Sequence, residues 1–306
     1  DGSGAPGIVL DGGGADRLLI VDPTGVGSVQ QLTFTNGYGF QLAGGILNNG
    51  ELLLDHVTVT GNLMTTDGGD FWQGGGGIYN GEGATLVLVD STVSNNTSGW
   101  TGGGIYSFFN TTTIIERSTV SGNVALDVAG GLRTLGNVTV DNSTLSGNVS
   151  TVWHGGAAFI TDGVVDISNS TVTENWAPDG TAGGLFVGTF GESSATLNLQ
   201  NTLVSANGDF GCFLAPFGSG AVALNSLGGS VYTDATCNPV GSDLVVGDAM
   251  LGPLADNGGP TQTHALQADS PVIDSADAGA CPATDQRGVT RPQGAECDSG
   301  SYEYAP

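Results

Sequence analysis

Short runs in which apolar and polar residues alternate fill the chain, as in Thr85-Leu86-Val87-Leu88-Val89-Asp90, and no stretch repeats its apolar residues at helical spacing. Each run predicts a strand. The runs come in a fixed order: Gly76-Gly77-Ile78-Tyr79-Asn80 leads through that run to Ser91-Thr92-Val93-Ser94-Asn95-Asn96. Gly103-Gly104-Ile105-Tyr106 leads in the same way to Ser118 through Asn123, and Gly130-Gly131-Leu132 to Ser143 through Asn148. Further copies start at Gly44-Gly45, Gly155-Gly156 and Gly183-Gly184, and the closing asparagines Asn62, Asn96, Asn123, Asn148, Asn175 and Asn207 are 25 to 34 residues apart.

Self-similarity at this period means a solenoid, in which a unit buries its apolar side only by stacking on the next. Val59, Val93, Val120, Leu145, Val172 and Val204 then form one apolar column, as parallel, in-register strands about 4.8 Å apart require. Hairpins need tight two-residue turns between neighbouring strands and do not reproduce one order at this period. The pattern predicts an all-β, right-handed parallel β-helix with three short strands per coil. About eleven coils in a rod about 50 Å long follow from the length and the strand spacing. Residues 1–210 read as the repeats, and 211–306 as C-terminal coils with an irregular, disulfide-bonded, cap-like tail continuous with them.

The asparagine column predicts a ladder of side-chain amides, with Asn36 as an early member and a left-handed backbone at each Asn. The Gly-Gly pairs mark positions where a Cβ collides with the neighbouring coil. Both roles belong to the scaffold.

These Gly-Gly-[Ile/Leu/Ala] starts and Ser-Thr-Val-Ser-Gly-Asn ends resemble the bacterial right-handed parallel β-helix repeat proteins and, more distantly, the polymorphic outer-membrane proteins. The run from Leu251-Gly252-Pro253-Leu254 to His264, followed by Ser270-Pro271-Val272-Ile273-Asp274, Asp285-Gln286-Arg287-Gly288 and Arg291-Pro292, resembles the end of the choice-of-anchor (Q-type) surface β-helix domains. That resemblance implies a place at the cell surface. A Cys-Ser-Leu-Arg-Glu-Ala start and a segment after Tyr304-Ala305-Pro306 that serves as an anchor are both missing from the sequence.

Thirty acidic residues against five arginines and no lysine give a net charge of −25. Such a surface repels nucleic acid, anionic membranes and polyuronates, and admits divalent cations or neutral glycans. No apolar run is long enough to span a membrane. The start at Asp1, without Met or signal peptide, reads as a processed or trimmed form. Four clustered cysteines without a Cys-x-x-Cys motif favour disulfides and a secreted, extracellular or surface location. The gap from Cys212 to Cys237 equals one coil, so we pair these two, and Cys281 with Cys297.

All four tryptophans, Trp72, Trp100, Trp153 and Trp176, fall in the variable segments that follow the closing asparagines, with Phe71 and His154 beside them. Superposed coils send these loops to one side, where aromatic rings can stack on sugars or on another molecule. His264 reads as a hydrogen-bonded structural histidine, and Arg287 and Arg291 as ties between tail and rod. The column His56, Asp90, Arg117, Asn142, Asn169, Asn201 reads as a solvated side with an Asp90–Arg117 ion pair.

No catalytic residues are assigned: the acids are scattered, and glycoside cleavage needs two carboxylates facing each other across a cleft. No cofactor or metal is assigned either. Calcium remains an unassigned candidate at Asp67-Gly68-Gly69-Asp70 and Asp11 to Asp16, neither of which has a calcium-loop spacing. The expected function is a non-catalytic surface structural protein that assembles with itself, its first coil uncovered, or adheres. The alternative is a module that binds or cleaves polysaccharide through the tryptophan loops.

Overall fold

Strand by strand, the repeat units lie on top of one another. A computed structural model describes residues 7–306. Four parallel sheets run along the rod. The first, of ten strands from Ile8–Asp11 to Leu244–Val245, contains the Ser-Thr-Val segments. The second has eight strands, Leu19–Val21 to Cys212–Pro216, and carries the residues after each Gly-Gly. The third has eight longer strands, Val26–Gln30 to Val222–Ser226, and the fourth has five short ones, Tyr38–Phe40 to Val149–Ser150. No α-helix occurs among the described residues.

The register is that of the repeat. Val59, Val93, Val120, Leu145, Val172 and Val204 pair successively, and all are at most 2% exposed. They meet the inner files of the other two long sheets, Ile46 to Leu185 and Leu54 to Leu199, in one continuous core. Burying each such side chain contributes about 1.5–3 kcal/mol.

The amide ladder is present and fully bonded. From Asn96 onward each Asn Oδ1 accepts from the Nδ2 and the backbone N–H of the Asn one coil earlier: Asn62 to Asn96 at 2.9 and 3.0 Å, and Asn123 to Asn148 at 2.9 and 3.1 Å. The Nδ2 also donates to a backbone carbonyl of the previous coil, Val59 for Asn96. The backbone assignment differs from expectation. Positive φ falls on the residue before the ladder, at Gly61, Asn95, Gly122, Gly147, Glu174 and Ala206, and not on the ladder residues. For the same reason Asn36 is not a member. It aligns with Gly61, and Gly37, whose N–H donates to Asn62 Oδ1, takes the ladder position. At Gly77 a Cβ would come within 2.8 Å of the Gly104 carbonyl oxygen and 2.9 Å of Asn96 Nδ2, so the glycine makes room for the ladder.

The number of turns is about eight, not eleven. The expectation assumed that every residue winds. From Val246 onward the chain leaves the rod axis, makes an antiparallel hairpin of Leu251–Ala255 with Thr263–Leu266, and runs back along the outside of the first sheet. There Thr144 Oγ1 donates to Gln286 Oε1 (2.7 Å), Thr171 Oγ1 accepts from the Ser301 N–H (3.0 Å), and His264 Nε2 meets Ser146 Oγ (2.8 Å). His264 is therefore structural, bonded at its other nitrogen to the Gly252 carbonyl.

The tail also covers Asn142, Asn169 and Asn201, which are at most 5% exposed. Their column is the left-handed bend between the third and first sheets, with φ of 46–55° from Gln31 to Asn201, so only its earlier members, such as His56, face solvent. Arg117 grips Asp90 there through Nε and Nη2 at 3.0 and 3.1 Å.

Arg287 and Arg291 bond within the tail, to Asp285, Glu303, Asp298 and Gly300, instead of reaching the rod. Cys212 and Cys237 are bridged across adjacent coils with Cα atoms 4.9 Å apart, and Cys281 with Cys297 at 6.3 Å.

Candidate functional site

In every strand of the second sheet the first residue points into the core, and the next points out. Stacking aligns these outward residues into the file Leu47, Tyr79, Tyr106, Arg133, Phe159, Phe186, Phe213. They pack in clusters separate from the central core. Strand spacing sets the ring spacing. Tyr79 and Tyr106 meet edge to face at 5.2 Å, and Phe159 stacks on Phe186 at 4.3 Å and 7°. Arg133 interrupts the file, its guanidinium 4.8 Å from the Phe159 ring and 6.0 Å from Tyr106, a cation–π arrangement on both sides.

Loops from the corner between the fourth and second sheets fold over this file. The Tyr106 hydroxyl donates to the Phe71 carbonyl and fixes the longest of them, and Trp100 packs flat against Gly69, where a Cβ would meet its ring at 2.3 Å. Between the loops lies a cleft made of two cavities of about 170 and about 450 Å³ that share Phe71, Arg133 and Phe190. The smaller is walled by Trp100, Trp153 and Phe159 and has Asp127 at its side. Phe109 and Leu135 line the larger, together with Thr161 and Ser193. Burial pushes the Tyr106 hydroxyl up to about 12 and raises the Asp127 carboxyl against the opposing pull of Arg133.

The sequence-based candidates divide here. Phe71, Trp100 and Trp153 come together in the cleft. Trp72, 42% exposed, touches Phe71 edge-on at 5.3 Å and stands outside the cleft lining. Trp176, 45% exposed, extends the row of the fourth sheet through its bridge to Val149 and lies outside the lining of both cavities.

His154 is not a contact residue. It is 5% exposed and packed against the rings of both Phe186 (4.7 Å) and Phe213 (4.9 Å), and its Nδ1 accepts from the Ala182 N–H (3.1 Å). Burial lowers its pKa, so it stays neutral. Sequence reasoning missed Arg133 and Phe190. Arg133 was nevertheless readable, because it occupies the position after the inner apolar residue, which holds Tyr or Phe in the other five coils from Tyr79 to Phe213.

One group of acids and histidine has metal-ligand spacing among the described residues, Asp55, His56 and Asp90. Arg117 already occupies both Asp90 oxygens, so a guanidinium stands where a cation would. Asp11 spends its Oδ1 on the Gly13 N–H and Asn36 Nδ2, which hold its pKa down.

The comparison with known families agrees with this geometry. The family model described as right handed beta helix region matches residues 3–227 of the chain. The chain belongs to the right-handed β-helix family. Searches of curated proteins and of solved structures give no match. Right-handed β-helix domains occur both in enzymes and in proteins without catalysis, so function has to be argued from the cleft. Two disulfides are consistent with secretion, and no helix among the described residues is long and apolar enough to cross a membrane.

Proposed function

We propose that this β-helix is a non-catalytic extracellular binding rod whose aromatic cleft docks a ring-bearing ligand, a surface glycan being the leading class. The observation that carries the reading is the convergence of Phe71, Trp100, Trp153 and Phe190, from four separate coils, on one cleft. Stacking on flat rings gains area at low entropic cost. Among the described residues Asp127 is the one carboxylate lining the cleft, whereas cleavage of a glycosidic bond uses two. The tail's similarity to choice-of-anchor domains and the disulfides support a place outside the cell.

A panel of neutral and acidic polysaccharides, read by binding and by product release, tests this. Binding without cleavage is expected, weakened at least about ten-fold, or about 1.4 kcal/mol, by Trp100→Ala or Trp153→Ala. Release of shorter products would overturn the non-catalytic part.

A second reading, head-to-tail assembly, is favoured by the rod's ends. Where the chain leaves the axis, the last strands of three sheets carry no further strand among the described residues, with Leu214, Leu244 and Val245 exposed in them and Leu227 just beyond one. The outermost strands of the described residues at the other end expose Val9, Ile20 and Val26, and a parallel edge meeting its opposite continues the sheet. With −25 charges per copy, rods should lengthen as salt screens the repulsion, seen by light scattering and electron microscopy. Single rods at every salt and protein concentration, identical in Leu244→Lys, would rule assembly out.

A further inference from the structure

Arg133 is 5% exposed and lines both cavities of the cleft. All three of its hydrogen bonds leave from one nitrogen: Nη1 donates to the carbonyls of Thr134 (3.2 Å) and Phe159 (3.1 Å) and to Thr161 Oγ1 (2.7 Å). Arg117, Arg287 and Arg291 each pair with an acid, but the ion pairs of the described residues do not include Arg133. Among the described residues its Nε–H and Nη2–H edge has no protein acceptor. That edge is the two-pronged one, and in this same chain Arg117 uses it to hold both oxygens of Asp90. A guanidinium keeps its proton even when burial opposes the charge, so at the floor of an aromatic cleft it favours an anion of matching shape.

We propose that the cleft takes a ring bearing a single carboxylate, held by the Nε–H and Nη2–H edge of Arg133 while the ring lies among Phe71, Phe109 and Phe190. This rests on the reading of the cleft as a ring-binding site and adds the ligand's charge. One guanidinium balances one carboxylate, whereas a dianion leaves a charge buried without a partner. A net charge of −25 also repels densely charged polymers at long range, so the acid is sparse along its carrier or free. Phe109, Leu135 and Phe190 suit the flat face of the ring, and the hydroxyls of Thr161 and Ser193 suit its polar rim. A uronic acid residue of a glycan and an aromatic acid share this chemistry. Asp127, at the side of the smaller cavity, opposes the bound anion whenever it is ionised.

The test uses the whole chain and two matched pairs, methyl glucuronide with methyl glucoside and 2-naphthoate with 2-naphthamide, titrated calorimetrically. In at least one pair the carboxylate is expected to bind about ten-fold or more tighter than its neutral counterpart, and the pair that shows this tells sugar acid from aromatic acid. Arg133→Lys, which keeps the charge and loses the fork, is expected to reduce that ratio to about two-fold or less. Asp127→Asn is expected to tighten the carboxylates about three-fold or more relative to their neutral counterparts. This last variant carries the test if Arg133→Lys fails to melt like the parent. Equal binding within each pair overturns the proposal and leaves the ring-binding reading standing. Binding of none of the four also overturns it, and the polysaccharide panel then decides separately whether the cleft binds rings at all.

Discussion

Asn96→Ala is expected to destabilise the rod by about 3–5 kcal/mol, while Asn95→Gly, one residue away, is expected to leave it unchanged or slightly more stable. Asn96 is fully buried, and its side chain makes four hydrogen bonds. Oδ1 accepts from the N–H and Nδ2 of Asn62, and Nδ2 donates to Val59 O and Asn123 Oδ1. Alanine leaves the Asn62 N–H and the Val59 carbonyl without these partners in a dry interior, and each orphaned group costs about 1–3 kcal/mol. Asn95 is exposed and supplies only a backbone with φ of 54°, which glycine adopts freely. Chemical denaturation followed by tryptophan fluorescence measures both. Equal effects of the two substitutions would mean that backbone shape, not the ladder, holds the corner.

Arg291→Ala is expected to detach the tail, at a cost of about 3–5 kcal/mol. Arg291 donates to the carbonyls of Asp298 and Gly300, each at 2.7 Å, and its Nε lies 3.8 Å from Glu303 Oε2, with both side chains wholly buried. Removing it leaves Glu303 as a buried carboxylate beside Asp298. Burial pushes the Asp298 carboxyl up to about 6, which fixes the sign of a pH effect. The folded tail binds this proton more tightly than the unfolded chain does, so the associated stability is present below the ordinary aspartate range and is lost as pH rises towards 6. Moving from pH 7.5 to pH 4 should strengthen tail docking by on the order of 2 kcal/mol. Asp298→Asn should remove that increment while retaining the general gain from reduced self-repulsion. Hydrogen exchange at Thr144 and Thr171, beneath the tail, follows both variants. Protection there that survives Arg291→Ala would show that Gln286, Ser301 and His264 hold the tail without the buried pair.

What the sequence makes legible is what the repeat enforces. Val93 and Val120 must stack, Gly77 must stay small beside Asn96, and Cys212 must meet Cys237, because all follow from one coil superposing on the next. The outward file was legible by the same rule, since Tyr79, Tyr106, Phe159, Phe186 and Phe213 each follow an inner apolar position, but tryptophan content drew the reading to the loops instead. Those loops differ in length, so their contacts are not periodic. Trp100 and Trp153 reach the cleft, Trp176 does not, and His154 turns inward because Phe186 and Phe213 offer it two faces. The path of the tail had no local signature. It depends on pairings such as Thr144 with Gln286, 142 residues apart.

The positions of the tryptophans supply the most direct test of the cleft as the binding site. A ligand that binds the parent chain should still change the fluorescence when Trp72 and Trp176 are both replaced by Phe, because neither lines the cleft. The change should disappear when Trp100 and Trp153 are the pair replaced. A signal that follows Trp72 and Trp176 instead would place binding elsewhere on the rod and contradict the account.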